Sequence, residues 1–436
     1  LAVPVLMASQ EWDDHDRSGK TFARESAINT LSSCAPNAIL FTYGDNDTYP
    51  LWYVQEVEGF RKDVRIINTS LLGIGWYIDQ LRYKINDAPA VPMIWKSEDY
   101  VGDRRNYIRF FENPQIPKDR YFSLDEICNF VISNNDANKL RTQNGEMTNY
   151  LPSRNFFLPS LTREQLIAEG MLSPTDSLPI NTDLKFSLPG EAATKDQLAI
   201  MNIVAAMAKE GWKRPIYFGG GGDNYIGLNN YLRLEGTVYR LMPYSQPPLR
   251  QNAPGEFGFV NVDKSFDLFK SKYTYGGAER KDVYFDEKNR MALAPYRITV
   301  ARIADELSAR NRKSDAVLIL DNVMKGITPE AYAYDFQCYL LVNSYYRADA
   351  IAKGKDLAMK LTKNLEDDVK YIASLGNESA RASLAGDVQR DISVINILGT
   401  FATQAGDTAT SKILNEKVKV LTDLVYREIG QEHFRQ

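Results

Sequence analysis

The stretch NAILFTYGDNDTYPLWYVQEVEGFRKDVRIINTSLL, residues 37–72, contains the pattern of a complete β-strand–helix–β-strand unit. Residues 37–44 and 63–72 are short runs rich in Ile, Leu, Val and Phe, and turn residues bound each of them, as is typical of strands. The segment between them, TYPLWYVQEVEGFRK, has apolar residues at helical spacing. Two strands joined by a helix over roughly thirty residues run parallel with a right-handed crossover. The stretch therefore predicts an α/β fold.

The helix inside this unit has an apolar face and a recognisable start. Leu51, Val54 and Val57 recur at helical spacing and form one stripe. Thr48 or Asp47 is expected to cap the N-terminus of the helix, because their side-chain oxygens can accept hydrogen bonds from unpaired N–H groups there.

The same alternation recurs over the first two thirds of the chain. Helical patterns cover residues 18–33, 76–85 and 195–212, and residues 214–222, RPIYFGGGG, form a third strand candidate. We therefore predict an α/β layered domain with a mainly parallel sheet over residues 1–290, with helices on both faces of the sheet.

The predicted domain carries a long insertion at about residues 88–189. Prolines interrupt this segment repeatedly, and SNNDANKLRTQNGEMTNY within it is strongly polar. Long irregular insertions are commonly surface excursions that face ligands. We therefore expect this segment to lie at the surface of the α/β domain.

Residues 291–436 change character, because Gly and Pro become rare and helical periodicity dominates. Val300, Ile303 and Leu307 share one helix face, and breaks near RNRKSD, KGITPE, SLGNESA and TQAGDT separate successive helices. This pattern predicts a second, all-α domain of helical hairpins that resembles tetratricopeptide repeats, although no regular repeat period is visible.

Composition restricts the classes of partner. The 436 residues include 52 Lys and Arg against 56 Asp and Glu, and the net charge of −4 gives no general attraction to phosphate backbones. We expect no nucleic-acid partner. The three cysteines, Cys34, Cys128 and Cys338, are far apart in sequence and are expected to be buried free thiols. We expect no cofactor and no metal centre.

The first candidate site is EWDDHDRSGK, residues 11–20. Asp13, Asp14, His15, Asp16 and Arg17 place several titratable groups in one short segment. Carboxylates of this kind could hold a divalent cation or supply a general acid–base pair. The spacing does not match an EF-hand loop, and a solvated loop that leads into a helix is the alternative interpretation.

The second candidate is the acidic turn that follows the first strand. In an α/β sheet, ligands bind beyond the carboxyl ends of the strands, and Gly44, Asp45, Asn46 and Asp47 occupy such an end. The two carboxylates could accept hydrogen bonds from sugar hydroxyls or bind a cation. The same residues could instead shape a sharp turn and cap the following helix.

The third candidate is FGGGGDNY, residues 218–225, at the end of the third strand. Gly220 and Gly221 would allow close approach of a ligand to the backbone, and Asp223 and Asn224 could contact it. The segment matches neither the dinucleotide-binding nor the P-loop pattern. A flexible loop at the edge of the same crevice is the alternative.

Nucleophilic hydrolysis by a conventional triad is disfavoured. His15 and His433 are the only histidines, and the nucleophile-elbow pattern GxSxG does not occur. The 25 tyrosines and five tryptophans could present stacking faces to sugars, although packing between layers also uses such residues.

Taken together, these motifs resemble a known family. EWDDHDRSGK, CAPNAILF, GDNDTYPLWY with QEVEG, and DVR with SLL occur in order, and YIGLNNYLRLEGTVYRLMP extends the likeness to residue 243. The chain resembles the C-terminal extracytoplasmic region of a bacterial multi-pass membrane protein family, common in Bacteroidetes, that carries domain of unknown function 2723. The membrane part of that family is similar to protein O-mannosyltransferases of the glycosyltransferase-C type.

The resemblance implies an extracytoplasmic, periplasmic module that an upstream transmembrane domain of the same polypeptide tethers to the inner membrane. In such transferases the catalytic acid belongs to the membrane domain, so the resemblance supplies no catalytic residue in this chain. It implies a partner that is a glycan or an acceptor polypeptide.

Three functions follow as hypotheses. The first is an accessory module that binds glycan or acceptor polypeptide without catalysing transfer, and the full-length protein would be the glycosyltransferase. The second is a protein-binding scaffold that acts through the helical repeats. The third is a metal-assisted hydrolase or transferase that uses both acidic segments around a cation.

Overall fold

The structure is a computed structural model that describes residues 2–10, 12, 16–111, 114–142, 144–220, 225–249, 252 and 256–428. The chain divides into two compact units. One unit comprises Ser26–Ser265, and the other combines Leu1–Glu25 with Phe266–Gln436. The boundary predicted from composition, near residue 290, lies at the start of the long helices.

The helices are, in chain order, α1 (Ala2–Gln10), α2 (Phe22–Ser33), α3 (Gly44–Glu56), α4 (Gly75–Leu81), α5 (Ser97–Tyr100), α6 (Leu124–Ile132), α7 (Arg163–Ala168), α8 (Lys195–Lys209), α9 (Val262–Ser271), α10 (Glu287–Ala309), α11 (Lys313–Gly326), α12 (Tyr339–Arg347), α13 (Ile351–Ser374), α14 (Glu378–Ser383), α15 (Ala385–Gln404) and α16 (Thr408–Glu428). Short 3-10 turns cover Thr69–Leu71, Asp136–Asn138, Asn229–Tyr231 and Phe336–Cys338.

The strands are β1 (Ile39–Thr42), β2 (Arg65–Asn68), β3 (Tyr107–Arg109), β4 (Phe122–Ser123), β5 (Leu140–Arg141), β6 (Met147–Thr148), β7 (Asn155–Phe157), β8 (Lys185–Ser187), β9 (Ala192–Thr194), β10 (Ile216–Gly219), β11 (Leu232–Glu235), β12 (Val238–Leu241) and β13 (Phe259–Val260).

A six-stranded sheet organises the α/β unit, with strand order β13-β11-β12-β10-β1-β2. Strands β10, β1 and β2 are parallel, and so are β11 and β13. Strand β12 is antiparallel to both of its neighbours. The predicted α/β class is therefore confirmed, and the sheet is a mixed one in which the three strands predicted from the sequence, β1, β2 and β10, are parallel.

The alternation of side chains in β1 explains the layers. Ile39 and Phe41 belong to one apolar cluster and Leu40 to another, because successive side chains of a strand point to opposite faces of the sheet. Leu51 and Val54 of α3 pack in the cluster that contains Leu40. Helix α8 supplies apolar side chains to the opposite cluster. All four residues of β1 are buried, as expected for a parallel strand covered on both faces.

Helix α3 begins at Gly44, four residues before the predicted cap at Thr48. The GDND segment is therefore the first turn of the helix rather than a loop that precedes it. Gly44 has φ of +70°, which favours glycine, and this residue makes the sharp change of direction after β1. Thr48 lies inside the helix and donates a hydrogen bond from its hydroxyl to the Gly44 carbonyl at 2.6 Å.

The insertion at residues 88–189 does not behave as a surface excursion. It contains the small sheets β4-β7-β8 and β5-β6, and its strand β3 pairs with β9. Trp95, Phe156 and Leu166 are buried in the same cluster as Ile39. The prolines interrupt regular structure, but the apolar residues between them are numerous enough to complete one face of the core.

The second unit is helical from α10 to α16, so the predicted all-α C-terminal region is confirmed. Consecutive helices pack against each other, α10 on α11, α12 on α13, and α15 on α16. The tetratricopeptide-like arrangement of these hairpins stays a prediction. Within the part of the chain that the structure describes, no helix combines the length and apolar character that crossing a membrane requires.

The three cysteines are buried free thiols, as predicted. Burial raises the pKa of Cys34 to about 12, although the nearby cations Lys264 and Arg61 act in the opposite direction. The thiol is therefore protonated at neutral pH and packs as a small apolar side chain.

Candidate functional site

A cavity lies at the carboxyl ends of the parallel strands, where ligands of α/β proteins bind. It is lined by residues at the ends of β1 and β10, by the first residue after β2 and by one further tyrosine: Phe41, Thr42, Tyr43, Thr69, Phe218, Gly219 and Tyr225. We call this region the strand-tip site.

The cavity itself is narrow and mainly aromatic. Phe41 and Phe218 stack with their ring centroids 5.1 Å apart, and Tyr225 contacts Phe218 edge-on at 5.6 Å. The cavity is partly open to solvent, and its volume of about 20 Å³ suffices for one water molecule. A sugar ring or a large side chain would therefore have to lie mostly on the rim rather than inside.

Hydrogen bonds fix the polar side of the cavity. The Thr69 hydroxyl donates to the Thr42 carbonyl at 2.9 Å, and the Thr42 and Thr48 hydroxyls lie 2.7 Å apart. Asn68 accepts a hydrogen bond from the Ser70 N–H at 2.9 Å and thereby shapes the turn after β2. These bonds connect the ends of β1 and β2 and hold the polar side of the cavity in place.

Gly44 to Asp47 adjoin this cavity, because they follow its lining residue Tyr43 directly, but they do not line it. Asp45, Asn46 and Asp47 are exposed at the start of α3. The positive end of the helix dipole favours carboxylates at this position.

The two acids have different partners. The Asp45 carboxylate accepts a hydrogen bond from the Tyr49 hydroxyl, which raises the pKa of Tyr49. The Asp47 carboxylate accepts one from the Tyr43 N–H. Displacement of water raises the pKa of Asp47, and the bond from Tyr43 offsets that effect only in part. Asp47 therefore satisfies a backbone N–H group at the helix start, while Asp45 is linked to an aromatic side chain.

Exposed aromatic rings surround these acids. Tyr43 is 52% exposed and Tyr49 is 53% exposed. Tyr49 stacks on Trp52, with ring centroids 5.6 Å apart and an interplanar angle of 23°. Exposed aromatic rings next to carboxylates are features of a surface that binds an amphipathic ligand.

The glycine-rich candidate is placed only in part. Gly219 lines the cavity and Gly220 follows it, whereas Gly221, Asp223 and Asn224 lie outside the described residues. A Cβ atom on Gly219 would lie 3.4 Å from the Phe41 carbonyl oxygen, so a side chain here would press against the end of β1.

The first acidic segment belongs to the other compact unit. Asp16 accepts a hydrogen bond from the Ser18 N–H at 2.9 Å, and its interactions with Ser18 lower the pKa of its carboxyl. Arg17 is exposed. Asp13, Asp14 and His15 lie outside the described residues, so the predicted convergence of the two acidic segments stays a prediction.

Among the residues that the structure describes, no three His, Cys, Asp or Glu side chains group closely enough to hold a metal ion.

Several lining residues were not identified from the sequence. In the sequence, Phe41 is recognisable only as an apolar strand residue, while Phe218 and Tyr225 bound the glycine-rich candidate without being assigned a role themselves. Thr69 could have been identified, because it is the first residue beyond the carboxyl end of β2, which neighbours β1.

The fold and the cavity together define an α/β domain with a cavity at the carboxyl edge of its parallel strands. The chain belongs to the family described as TMEM260-associated domain 2, whose model matches residues 23–264, more than half of the chain. The matched segment coincides closely with the compact α/β unit, Ser26–Ser265. Comparison with the curated proteins and with the solved structures gives no match.

This family agrees loosely with the glycosyltransferase-related context that the sequence motifs indicate. Membership of the bacterial family with domain of unknown function 2723 stays a prediction.

Proposed function

We propose that this chain is a non-catalytic accessory module of a membrane glycosyltransferase-like protein, and that the strand-tip site binds a glycan or an acceptor polypeptide. One observation carries the proposal. An aromatic cavity at the strand ends is lined in part by the exposed Tyr43, and the chain continues from Tyr43 directly into the start of α3, which carries the exposed side chains of Asp45, Asp47 and Tyr49.

The chemistry of these groups suits a sugar or a peptide side chain. Aromatic rings contact the apolar faces of a ligand, and carboxylates accept hydrogen bonds from its hydroxyl groups. The hydrogen bonds to Asp45 and Asp47 from Tyr49 and Tyr43 hold both carboxylates in place without providing a paired acid and base. The arrangement supports binding better than bond cleavage.

Attachment to a membrane is part of the same proposal. Helix α1, AVPVLMASQ, contains no charged residue, and all of its residues are exposed. A helix that is apolar on all sides is normally surrounded by protein or lipid. This feature supports a module that a transmembrane domain of the same polypeptide holds at the bilayer. The proposal that the module lies on the extracytoplasmic, periplasmic side of the membrane rests on the family resemblance.

A protein-binding scaffold is the second candidate. Ile413 and Val420 lie two turns apart on the last helix, α16, and both are exposed. We propose that the hairpins form a tetratricopeptide-like array whose last helix contacts another protein. Replacing both residues with glutamate should then abolish that association while the strand-tip site still binds its ligand.

We expect the whole chain to bind methyl α-mannoside or a hydroxyl-containing acceptor peptide in calorimetric titrations. Asp45→Asn should weaken binding about tenfold, because the acceptor loses its charge and a charge-assisted hydrogen bond becomes a weaker neutral one. Tyr83→Ala is the matched control, since Tyr83 is 69% exposed and lies beyond α4, outside the strand-tip site. The proposal is wrong if the unmodified chain binds neither ligand, or if Asp45→Asn and Tyr83→Ala have equal effects.

A further inference from the structure

Helix α3 carries an exposed stripe that starts beside the strand-tip site. Asp45, Tyr49 and Tyr53 follow one another at intervals of four residues, so they lie along one side of the helix, and Val57, the residue that follows the helix, continues the series. Tyr53 is 48% exposed and Val57 is 68% exposed. At 1.5 Å per residue, the stripe extends about 18 Å from Asp45 to Val57.

The tyrosine nearest the cavity is held in place. Tyr49 stacks on Trp52 and donates its hydroxyl hydrogen bond to Asp45. Trp52 in turn packs against the buried cluster that contains Leu51 and Val54. A ring fixed in this way loses little conformational entropy when a ligand stacks on it.

The stripe suits a sugar chain better than an extended polypeptide. An extended peptide binds by pairing its backbone with free N–H and C=O groups, as at a sheet edge. The middle of a helix offers no such groups, because its backbone hydrogen bonds are internal. A sugar chain needs only aromatic faces and hydroxyl acceptors, and one sugar ring spans roughly one helical turn.

The small size of the cavity also supports a sugar chain that lies along the outside of the helix. Its space of about 20 Å³ cannot contain a sugar ring, so rings must lie outside on Tyr43 and Tyr49. Any further rings of a chain would then continue along the stripe toward Tyr53. The acidic first turn and the net charge of −4 favour a neutral rather than an anionic sugar chain.

We propose that this side of α3 is a track for a neutral oligosaccharide that extends from the strand-tip site, with one sugar ring stacked on Tyr49 and a later ring on Tyr53. The inference rests on the proposed glycan-binding function and specifies its ligand as a chain of several sugars. Val57, where the aromatic residues end, marks the far end of the track.

The test is calorimetry of the whole chain with mannose, mannobiose, mannotriose and mannotetraose. Affinity should increase about two- to tenfold for each added ring that reaches a tyrosine. Tyr53→Ala should remove the gain of the longer sugars and leave mannose affinity unchanged. Tyr83→Ala, which replaces a still more exposed tyrosine outside the stripe, should change neither.

The outcomes separate the track from the function on which it rests. Mannose binding that does not strengthen with chain length overturns the track and leaves the proposed function intact. If acceptor peptides bind and no sugar does, the track is likewise overturned and the proposed function is left intact. A Tyr53→Ala variant that weakens all four sugars equally also overturns the track. If neither sugars nor acceptor peptides bind, both proposals are wrong.

Discussion

Glu235→Ala is expected to lower the free energy of unfolding of the α/β unit by about 3–5 kcal/mol, the range observed when one partner of a buried ion pair is removed. Glu235 ends strand β11 and is fully buried. Its carboxylate contacts the Arg233 guanidinium at 2.6 Å and the Lys264 ammonium at 2.5 Å. The substitution would leave both cations partly buried without their shared partner.

The same carboxylate joins several elements of the unit. It accepts hydrogen bonds from the Tyr217 hydroxyl at 2.7 Å and from the Asn261 amide at 3.3 Å. Tyr217 lies on β10, and Lys264 lies on α9. Glu235 therefore connects the β11–β12 hairpin to the strand beside β1 and to the helix that follows the sheet, so its loss should affect the whole unit.

The pH dependence follows from the same contacts. Burial by itself raises the pKa of Glu235, but the charges of Arg233 and Lys264 more than offset it and lower the pKa to about 2, from an ordinary 4.5. A lowered folded-state pKa gives stability that is complete above pH 4.5 and is lost as the pH falls toward 2. The contribution is about 3 kcal/mol at 1.36 kcal/mol per unit of pKa.

Urea unfolding followed by tryptophan fluorescence measures both effects, because Trp52, Trp76, Trp95 and Trp212 all belong to the α/β unit. Glu191→Ala is the control, since Glu191 is exposed, and surface substitutions usually change stability by less than about 0.5 kcal/mol. Equal midpoints for Glu235→Ala and Glu191→Ala at pH 7 would contradict the predicted network. The network would also be contradicted if the unfolding midpoints of Glu235→Ala and of the unmodified chain changed equally between pH 5 and pH 3.

Arg297→Met is expected to destabilise the helical unit by about 3 kcal/mol, because it leaves buried carbonyl groups without donors. Arg297, on α10, is buried and donates to the carbonyls of Ala333, Ile327 and Tyr332 at 3.1, 3.1 and 2.7 Å. The rings of Tyr332 and Tyr334 contact the guanidinium at 4.8 and 5.2 Å.

This arginine anchors the segment between α11 and α12 through one planar, five-donor group, which lysine cannot reproduce. The unfolding of the helical unit can be followed by circular dichroism at 222 nm. Its midpoint should move to a lower denaturant concentration for both Arg297→Met and Arg297→Lys. Arg310→Met is the control, because Arg310 is exposed at the end of α10. A Lys variant as stable as the unmodified chain would show that charge alone is sufficient.

The βαβ core could be predicted from local pattern alone. Residues 37–44 and 63–72 contain β1 and β2, because β-branched and aromatic runs between turn residues are a local signal. The start of α3 was misplaced for a physical reason. Gly44, Asp45 and Asn46 are common in turns, so the sequence suggests a loop here. Their place in the first turn of α3 depends on the φ of Gly44 and on the hydrogen bond from the Tyr43 N–H to Asp47, which are features of the folded backbone.

The strand order could not be predicted, because it depends on contacts between distant segments. Strand β10 lies next to β1 although more than 170 residues separate them, and β12 returns antiparallel beside it. For the same reason, the sequence alone does not predict that the insertion at residues 88–189 contributes to the core. Trp95 and Phe156 carry no local sign of whether they face solvent or Ile39.

The sequence predicted the edge of the sheet at which the cavity lies, but not most of the residues that line it. The rule that ligands bind at the carboxyl ends of parallel strands located the edge that contains Tyr43 and Gly219. Thr69 and Phe218 join it only because β2 and β10 flank β1. The stacking of Tyr49 on Trp52 fits their spacing of three residues within α3, which places the two side chains next to each other on the helix surface.

The most direct test of the account is residue-assigned NMR of the tyrosine rings during titration of the whole chain with mannotetraose. The signals of Tyr43 and Tyr49, assigned through Tyr43→Phe and Tyr49→Phe variants, should shift progressively to saturation, and that of Tyr83 should remain in place. Saturating sugar that leaves Tyr43 and Tyr49 unmoved, or that shifts only tyrosines of the helical unit, would contradict a glycan-binding site at the strand ends.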